Sequence, residues 1–359
     1  MKRKATIKDV ARAAAVSVGT VSRVVNGHPA VDPATRLRVL KVMAELDFTP
    51  DALAQSLRTQ VTRTIGFVVP DISNPLWAQI LRSASKTLHT QGYSVMVAST
   101  NGERTLELDV LAHVARRRMD AFLLTLDSPL DAELQRGLEQ LSAPVVVMER
   151  DLGEPWNTVV TDHGGGAYAA TRYLIGLGHR RIALVTAQPG VRPSAVRIRG
   201  YRRAHEEAGL PVDAGLVRCG TFQPEFGFHE TSRLLSQQEP PTAVIAGGTQ
   251  LLPGVLRAAS LQGIAIPQEV SVVGCGDTDL AQLTRPAVTV VSSAPTSVGL
   301  VAAETLLRIL AGSDDGKPSH VVLPTELILR DSCAPPNPRL TALRPPSGID
   351  SLTSLRKHE

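Results

Sequence analysis

The chain has 359 residues, of which 43% are hydrophobic and 20% charged, a globular composition that excludes an intrinsically disordered chain and allows two or three domains. No apolar run approaches the roughly 18 residues of a membrane-spanning helix, and the N-terminus lacks the apolar segment of a secretory signal. Residues 1–60 carry ten Lys/Arg and five Asp/Glu, a net charge of +5, whereas the rest carries 28 and 29, a net charge of −1. A basic end on a near-neutral body indicates either a polyanion-binding module or a solubilising end.

Three short helices are predicted between residues 6 and 47. Ser17 and Asp32 are residue types that cap helix N-termini. Thr6 and Asp9 have the spacing of a capping box. Because only two residues separate the first two helices, these must cross sharply, as in a helix-turn-helix. Apolar residues at helical spacing give the expected buried faces, which are Ile7, Val10, Ala11 and Ala14 in the first helix, Val21, Val24 and Val25 in the second, and Val39, Leu40, Met43 and Leu46 in the third.

Apolar runs alternate with amphipathic helical stretches from residue 64 onward. Such runs are typical of parallel sheets covered by helices on both faces. Nine strands are many for one sheet. We therefore expect two α/β subdomains that face each other across a cleft, where ligands bind outside the carboxyl ends of the strands. The predicted strands are 64–69, 94–98, 121–126, 144–148, 158–161, 181–186, 243–246, 270–274 and 287–291. Helices are predicted between most of them, for example at 75–91, 103–117, 164–177, 194–208, 249–262 and 296–311.

Catalytic and metal-binding motifs are largely absent. The sequence has no GxxxxGK[ST], HExxH or GxSxG, and its histidines lack metal-ligand spacing. Gly164-Gly165-Gly166 could cradle a phosphate, although a tight turn into a helix explains the glycines better. The three cysteines form no CxxC pair, which fits a reducing cytoplasm. We expect no catalytic residue, no metal and no cofactor.

A family resemblance rests on residues 6–57, which include the run VSVGTVSRVVN at 16–26. This segment closely resembles the DNA-binding headpiece of the lactose repressor family of bacterial transcription regulators. The body resembles the family's effector domain in PDISNP, GHRRIALV, RIRGY, VSVVG and LRDS. The resemblance implies an all-α helix-turn-helix domain at 1–50, a hinge helix and linker at 51–63, a periplasmic-binding-protein-like α/β body with two subdomains and parallel sheets at 64–333, and a proline-rich, disordered tail at 334–359.

The resemblance places the second helix in the major groove, where its first turn presents Val18 and Gly19 to the bases. Arg23, one turn further on, can bind guanine O6 and N7, or alternatively contact only phosphate. Val18 offers a methyl contact, whereas Gly19 has no side chain with which to read a base. Five hydrogen-bonding residues match family positions that touch phosphates, namely Ser17, Thr20, Ser22, Asn26 and Thr35.

The 51–58 segment resembles the family's hinge helix, which folds on DNA. Leu57 matches the residue that wedges into the minor groove, and Ala54 lies on the same short helix; alternatively, Leu57 only packs the helix. Two such wedges require a symmetric dimer and a near-palindromic operator. The leucines of the tail are interrupted by Pro345-Pro346 and form no heptads, which favours a dimer over a tetramer.

The resemblance implies that an effector cleft is lined by seven positions, which are Asn74, Trp77, Glu149, Asp162, Arg197, Thr249 and Gly276. An arginine there suits a carboxylate or sugar hydroxyls, or else forms a structural salt bridge.

One wall of this cleft departs from the family pattern. Family members commonly have Asn-Asp where this chain has Gly248-Thr249, and an aspartate at Gly276. Losing these polar groups argues against an ordinary sugar ligand. The favoured interpretation is a cytoplasmic, nucleoid-associated repressor controlled by a small molecule such as a sugar or another metabolite. The alternatives are the same repressor without an effector, and an enzyme or transport protein, against which the headpiece argues.

Overall fold

The structure is a computed structural model that describes residues 5–26, 28–48, 61–128, 130–314 and 316–337. Its contacts divide the chain into two compact units, Met1–Thr62 and Arg63–Glu359. None of the helices within these described ranges is long and apolar enough to cross a membrane.

The first unit contains three helices, α1 (Ile7–Ala13), α2 (Val18–Val25) and α3 (Pro33–Glu45). Thr6 and Asp9 form the predicted capping box, with the Thr6 amide donating to Asp9 Oδ2 at 3.0 Å. The side chains of Ser17 and Asp32 cap α2 and α3. The helix starts are therefore predictable, because each cap is a local contact between residues two or three apart.

The core of the first unit differs from the prediction in α3. Val39 is fully buried and Met43 partly so, whereas Leu40 is 46% and Leu46 37% exposed. The expectation that these two leucines are buried is wrong. Leu40 lies about 100° around the helix from Val39, and Leu46 lies beyond the last helical residue. In the turn between α1 and α2, Ala15 has a φ of 53°, where a side chain costs roughly 1 kcal/mol relative to glycine.

The second unit contains two six-stranded sheets with helices on both faces. The strand order is β11-β5-β4-β3-β1-β2 in sheet 1 and β12-β10-β9-β8-β6-β7 in sheet 2. Every neighbouring pair is parallel except β10 and β12. The strands are β1 (Thr64–Val69), β2 (Ser94–Ser99), β3 (Ala121–Leu124), β4 (Val145–Met148), β5 (Asn157–Thr161), β6 (Ile182–Ala187), β7 (Val217–Gly220), β8 (Ala243–Ala246), β9 (Ser271–Cys275), β10 (Thr289–Ser293), β11 (His320–Leu323) and β12 (Thr325–Ile328).

Nine α-helices are present in the described part of the second unit. Three of them, α6, α9 and α11, are not among the helices named from the sequence, and strands β7, β11 and β12 were not predicted. The missed strands are short edge strands with half-exposed side chains, so they lack the continuous apolar run of a buried strand. The helices are α4 (Pro75–Thr90), α5 (Arg104–Arg116), α6 (Ala132–Glu139), α7 (His163–Gly176), α8 (Arg192–Glu207), α9 (Pro224–Leu235), α10 (Leu251–Leu261), α11 (Asp279–Leu283) and α12 (Pro295–Leu310).

The two sheets are joined where β5 leads into α7, β10 into α12, and β11 into β12. Helix α12 packs on sheet 1 and α7 on sheet 2. Two hydrogen bonds tie neighbouring connections together, from Asp162 N to Leu323 O at 2.8 Å and from Thr325 Oγ1 to Asp162 O at 3.1 Å. These three connections cross between the two sheets beside the cleft.

The glycine triplet 164–166 forms the first turn of α7 and serves packing. A Cβ on Gly166 would lie 2.4 Å from Val291 Cγ1, and one on Gly165 would lie 2.2 Å from Asp162 Oδ2. The Asp162 carboxylate occupies the helix N-terminus and accepts from Gly165 N at 2.8 Å. An acidic cap at this position does not suit a phosphate, so close packing explains the glycines.

The segment after the last strand stays attached to the body for several residues. Ala334 O accepts hydrogen bonds from His179 Nε2 at 3.0 Å and Ser271 Oγ at 3.1 Å. The predicted disordered tail, 334–359, otherwise lies mainly outside the described residues.

Candidate nucleic-acid interface and effector cleft

The predicted DNA-reading residues share the exposed side of α2. Ser17, Val18, Gly19 and Arg23 are exposed, and the exposed fraction of Val18 is 42%. The opposite side of the helix is anchored by Val21 and Val24 in the core. Helix α2 therefore presents a rigidly supported surface to a partner. Of the predicted phosphate-binding residues, Asn26 is also exposed, and Thr20, Ser22 and Thr35 are half-buried.

Glycine at position 19 is not required by the fold of the first unit. A Cβ there would lie 3.6 Å from Ser17 Oγ and 3.8 Å from Arg23 Nη2, which are ordinary contacts. The same distances show that the Arg23 guanidinium lies over the start of α2, beside the residues predicted to face bases. The missing side chain at Gly19 leaves this surface flat next to Arg23.

Local hydrogen bonds orient several predicted phosphate contacts. Ser17 Oγ lies 2.9 Å from Thr20 Oγ1, and Asn26 Nδ2 donates to Ser22 O. The hinge residues Ala54 and Leu57 lie outside the described residues.

A cleft of about 220 Å³ lies between the two sheets of the second unit. Five of the seven predicted effector residues line it, and the structure places Asp162 and Gly276 outside its lining. Asp162 caps α7 instead, and Gly276 has a φ of 103° and packs against Thr249. The five lining residues are Asn74, Trp77, Glu149, Arg197 and Thr249.

A buried chain of hydrogen bonds runs through the cleft wall from Glu149 to His163 to Arg197. Glu149 Oε2 lies 2.8 Å from His163 Nε2, and Arg197 Nη2 lies 3.1 Å from His163 Nδ1. Because a guanidinium only donates, Nδ1 must accept, and the neutral ring carries its proton on Nε2. Thr161 Oγ1 donates to the other Glu149 oxygen at 2.6 Å. Burial, together with the charge of Arg197, lowers the pKa of His163.

Two further carboxylates of the cleft also have protein partners. Asp127 pairs with Arg150, whose Nη2 lies 2.9 Å from Asp127 Oδ1, and burial raises the pKa of this aspartate. Asp71, after β1, accepts from Ser73 Oγ at 2.7 Å and from Gln250 Nε2 at 2.9 Å. Since Gln250 follows β8 of sheet 2, its hydrogen bond bridges the two walls of the cleft.

Comparison with known proteins finds relatives of this chain along nearly its whole length. A family model described as bacterial regulatory proteins, lacI family, matches residues 6–51, and one of a periplasmic binding protein-like domain matches residues 171–333. The HTH-type transcriptional regulator DegA of Bacillus subtilis is 32% identical over 93% of this chain and 99% of DegA. The repressor PurR of Haemophilus influenzae (strain PittEE) is 32% identical over 91% of this chain and 98% of PurR.

Solved structures of transcription regulators have a similar fold. The Lac repressor dimer bound to operator and the anti-inducer ONPF superposes with a TM-score of 0.82 and 25% identity, covering 92% of this chain and 100% of the repressor chain. A complex of the regulator CelR with cellobiose superposes with a TM-score of 0.68 and 30% identity, covering 91% and 99%.

The chain belongs to the LacI family. As a member of this family it is a DNA-binding transcription regulator and not an enzyme, and its two-part fold is that of the Lac repressor. The predicted family and fold class are confirmed.

Several cleft residues of this LacI-family chain were not singled out from the sequence. His163, Asp127, Arg150 and Phe222 line the cleft. His163 directly follows Asp162, and Arg150 directly follows Glu149, so each could have been found as the neighbour of a predicted residue. Asp127 and Phe222 follow strands β3 and β7, and only their position at the carboxyl ends of strands could have indicated them.

The stability of the second unit should fall as the pH decreases below about 6.5. The unfolded His163 ring takes up a proton near its ordinary pKa, while the folded ring, whose pKa is lowered, does not. The unfolded state therefore binds more protons, and the free energy of unfolding decreases by up to about 1 kcal/mol per pH unit in this window. Urea unfolding between pH 7.5 and 5.5, about two units, measures it.

His179 has a lowered pKa for the same reason of burial and contributes in the same window. The His163→Gln and His179→Gln variants should each show a shallower pH dependence than the parent chain. An unchanged slope in His163→Gln would mean that the ring takes up protons equally in the folded and unfolded states, and a steeper slope would mean that the folded ring is protonated; either result would contradict the neutral, buried ring.

Proposed function

We propose that this regulator is a repressor that binds a near-palindromic operator as a homodimer and is controlled by a small molecule in the cleft. The observation that carries the DNA-binding site is the exposed, well-anchored start of α2 with Arg23 beside it. Arg23 reads a base in the major groove, with Val18 and Gly19 shaping the contact. We assign the phosphate contacts to Ser17, Thr20, Ser22, Asn26 and Thr35, and the minor-groove contacts to Leu57 and Ala54.

The cleft supplies the control. A ligand can shift an equilibrium only by its differential affinity for the two states. Because residues from both sheets line the cleft and Gln250 already bridges it to Asp71, a bound molecule that contacts both walls favours one relative position of the sheets. This position is transmitted along the chain to the DNA-binding unit. Because its partner is DNA, we propose that the protein acts in the cytoplasm, at the nucleoid.

Selection from random duplex DNA tests this proposal. Full-length protein should enrich a near-palindrome whose half-sites are related by two-fold symmetry, since a symmetric dimer presents two copies of α2. Enrichment of a single, unpaired half-site would reject the dimeric mode of binding, and a failure to enrich any sequence would reject sequence-specific recognition.

The dimer contact is expected at strand β2, an uncovered edge of sheet 1. Met96 and Val97 on this strand are 53% and 39% exposed, and a second copy would cover them. Met96→Asp should weaken dimerisation at least about tenfold in sedimentation equilibrium, because a carboxylate would be buried against an apolar partner.

Val322 on β11, the opposite edge of sheet 1, is 58% exposed and provides the matched control. Val322→Asp should leave the dimer intact. A dimer weakened by Val322→Asp and not by Met96→Asp would move the interface to the other edge. A tetramer that is lost on deletion of residues 338–359 would contradict the prediction that the tail does not assemble dimers into a tetramer.

A further inference from the structure

The carboxylates that line the cleft already accept hydrogen bonds from the protein. Glu149 accepts from Thr161 and His163, and Asp127 accepts from Arg150. Asp71 accepts from Ser73 and Gln250. A sugar site uses carboxylates to accept hydrogen bonds from ligand hydroxyls, and here each of these carboxylates already accepts at least one hydrogen bond from the protein. The cleft therefore offers fewer open acceptor positions to a polyhydroxylated ligand than three unpaired carboxylates would.

Arg197, in contrast, offers the cleft a hydrogen-bond donor. It lines the cleft with 6% of its surface exposed, and among the described residues its Nη1 atom has no hydrogen-bond partner. The buried Cys275 thiol faces the same guanidinium, but thiol sulfur is a weak acceptor. A buried donor without a partner costs free energy that an acceptor on a ligand recovers.

The part of the cleft beside this donor lacks side chains at two glycine positions, and the Arg197 guanidinium carbon lies 6.0 Å from the centre of the Phe222 ring. A Cβ on Gly248 would lie 2.6 Å from Phe222 Cδ1, so the Phe222 ring fills the space that a side chain at 248 would need. A Cβ on Gly276 would lie 2.6 Å from Thr249 Oγ1, so Thr249 fills the corresponding space at 276. The space that side chains at 248 and 276 would need is thus filled by the Phe222 ring and by Thr249.

We propose that the effector is a compact molecule with one apolar ring and an acceptor oxygen, of the arenecarboxylate or arenecarboxamide type, rather than a sugar. The acceptor oxygen binds Arg197, and the ring packs against Phe222, with Trp77 also in the lining. The volume of about 220 Å³ suits a single ring, since drug-sized ligands occupy about 300–1,000 Å³. This inference rests on the proposed role of the cleft as an effector site.

Calorimetric titration of the full-length protein with benzoate, benzamide and D-ribose tests it. Benzoate or benzamide should bind at least about tenfold more tightly than D-ribose, and the better of the two shows whether the acceptor is charged or neutral. Arg197→Gln should lower the affinity for that probe by a further factor of about ten.

Gly248→Ala provides a second variant that does not remove a buried charge. Its Cβ displaces the Phe222 ring and should weaken ring binding about tenfold, whereas Gly176→Ala on α7, where a Cβ meets nothing within 4 Å, should leave the affinity unchanged. D-ribose binding as tightly as both ring probes would overturn the proposal. So would the absence of any heat from both ring probes at about 10 mM.

Operator binding, measured on the same preparation, tests the proposed DNA-binding function separately from the proposed ligand class. A protein that binds its operator but none of the ring probes leaves the proposed DNA-binding function standing and overturns only the ligand class. That outcome favours a repressor without a small-molecule effector.

Discussion

Arg23→Ala should weaken binding to the cognate operator by roughly 1–3 kcal/mol and leave binding to random duplexes nearly unchanged. The Arg23 side chain is exposed and lies over the start of α2, where the flat surface of Gly19 lets the helix approach the bases. A bidentate contact to guanine is lost with the guanidinium, and alanine cannot replace it. Fluorescence anisotropy at one fixed salt concentration measures both affinities.

Arg12 on α1 is the matched control. Its side chain is 83% exposed and belongs to the same basic unit, but it lies outside the recognition helix. Arg12→Ala should affect specific and random duplexes to the same small extent. If Arg23→Ala behaved in the same way, Arg23 would be a phosphate contact and base reading would have to come from other residues of α2.

Gly200→Ala should destabilise the second unit by roughly 3 kcal/mol, a large effect for the addition of one methyl group. Helices α7 and α8 cross so closely here that a Cβ on Gly200 would lie 2.1 Å from Gly164 O and 3.0 Å from Tyr168 N. Both are backbone atoms, so the helices must move apart rather than a side chain turn aside. Since α8 also carries Arg197, the cleft should lose ligand affinity in the same variant.

Gly176→Ala, on the partner helix α7, separates packing from helix propensity. No atom lies within 4 Å of its Cβ position, so the methyl group should be neutral or stabilise the unit by up to about 1 kcal/mol. Urea unfolding of both variants measures the difference. Equal stability of Gly200→Ala and the parent chain would show that α7 and α8 are not held at this distance in solution.

Local signals predicted the elements of this fold well. The caps at Thr6, Ser17 and Asp32 involve neighbouring residues, and long apolar strands such as β6 are visible as continuous runs. The strands that were not predicted are those whose formation depends on tertiary structure. Edge strands β7 and β12 pair on one side only and carry half-exposed side chains, so the sequence holds no strong signal for them.

At the cleft, too, some features were predicted from the sequence and others depend on tertiary structure. The resemblance placed Arg197 and Glu149 at the cleft, but the buried hydrogen bonds that join them through His163 depend on the connection from β5 to α7. The resemblance also placed Asp162 at the cleft, yet its carboxylate caps α7. Position 276 could not be placed from the sequence, because its left-handed backbone turns it toward Thr249.

The affinity of the full-length protein for its selected operator, relative to a scrambled duplex of equal length and at the same salt concentration, tests the central claim most directly. A dimer that reads bases through α2 should prefer the operator by at least about 10³-fold. Its preference should fall by roughly tenfold or more in Arg23→Ala. Equal affinity for operator and scrambled duplex, with the same decrease in both on substitution of Arg23, would show that the basic N-terminal unit binds DNA only through its charge and would contradict the account.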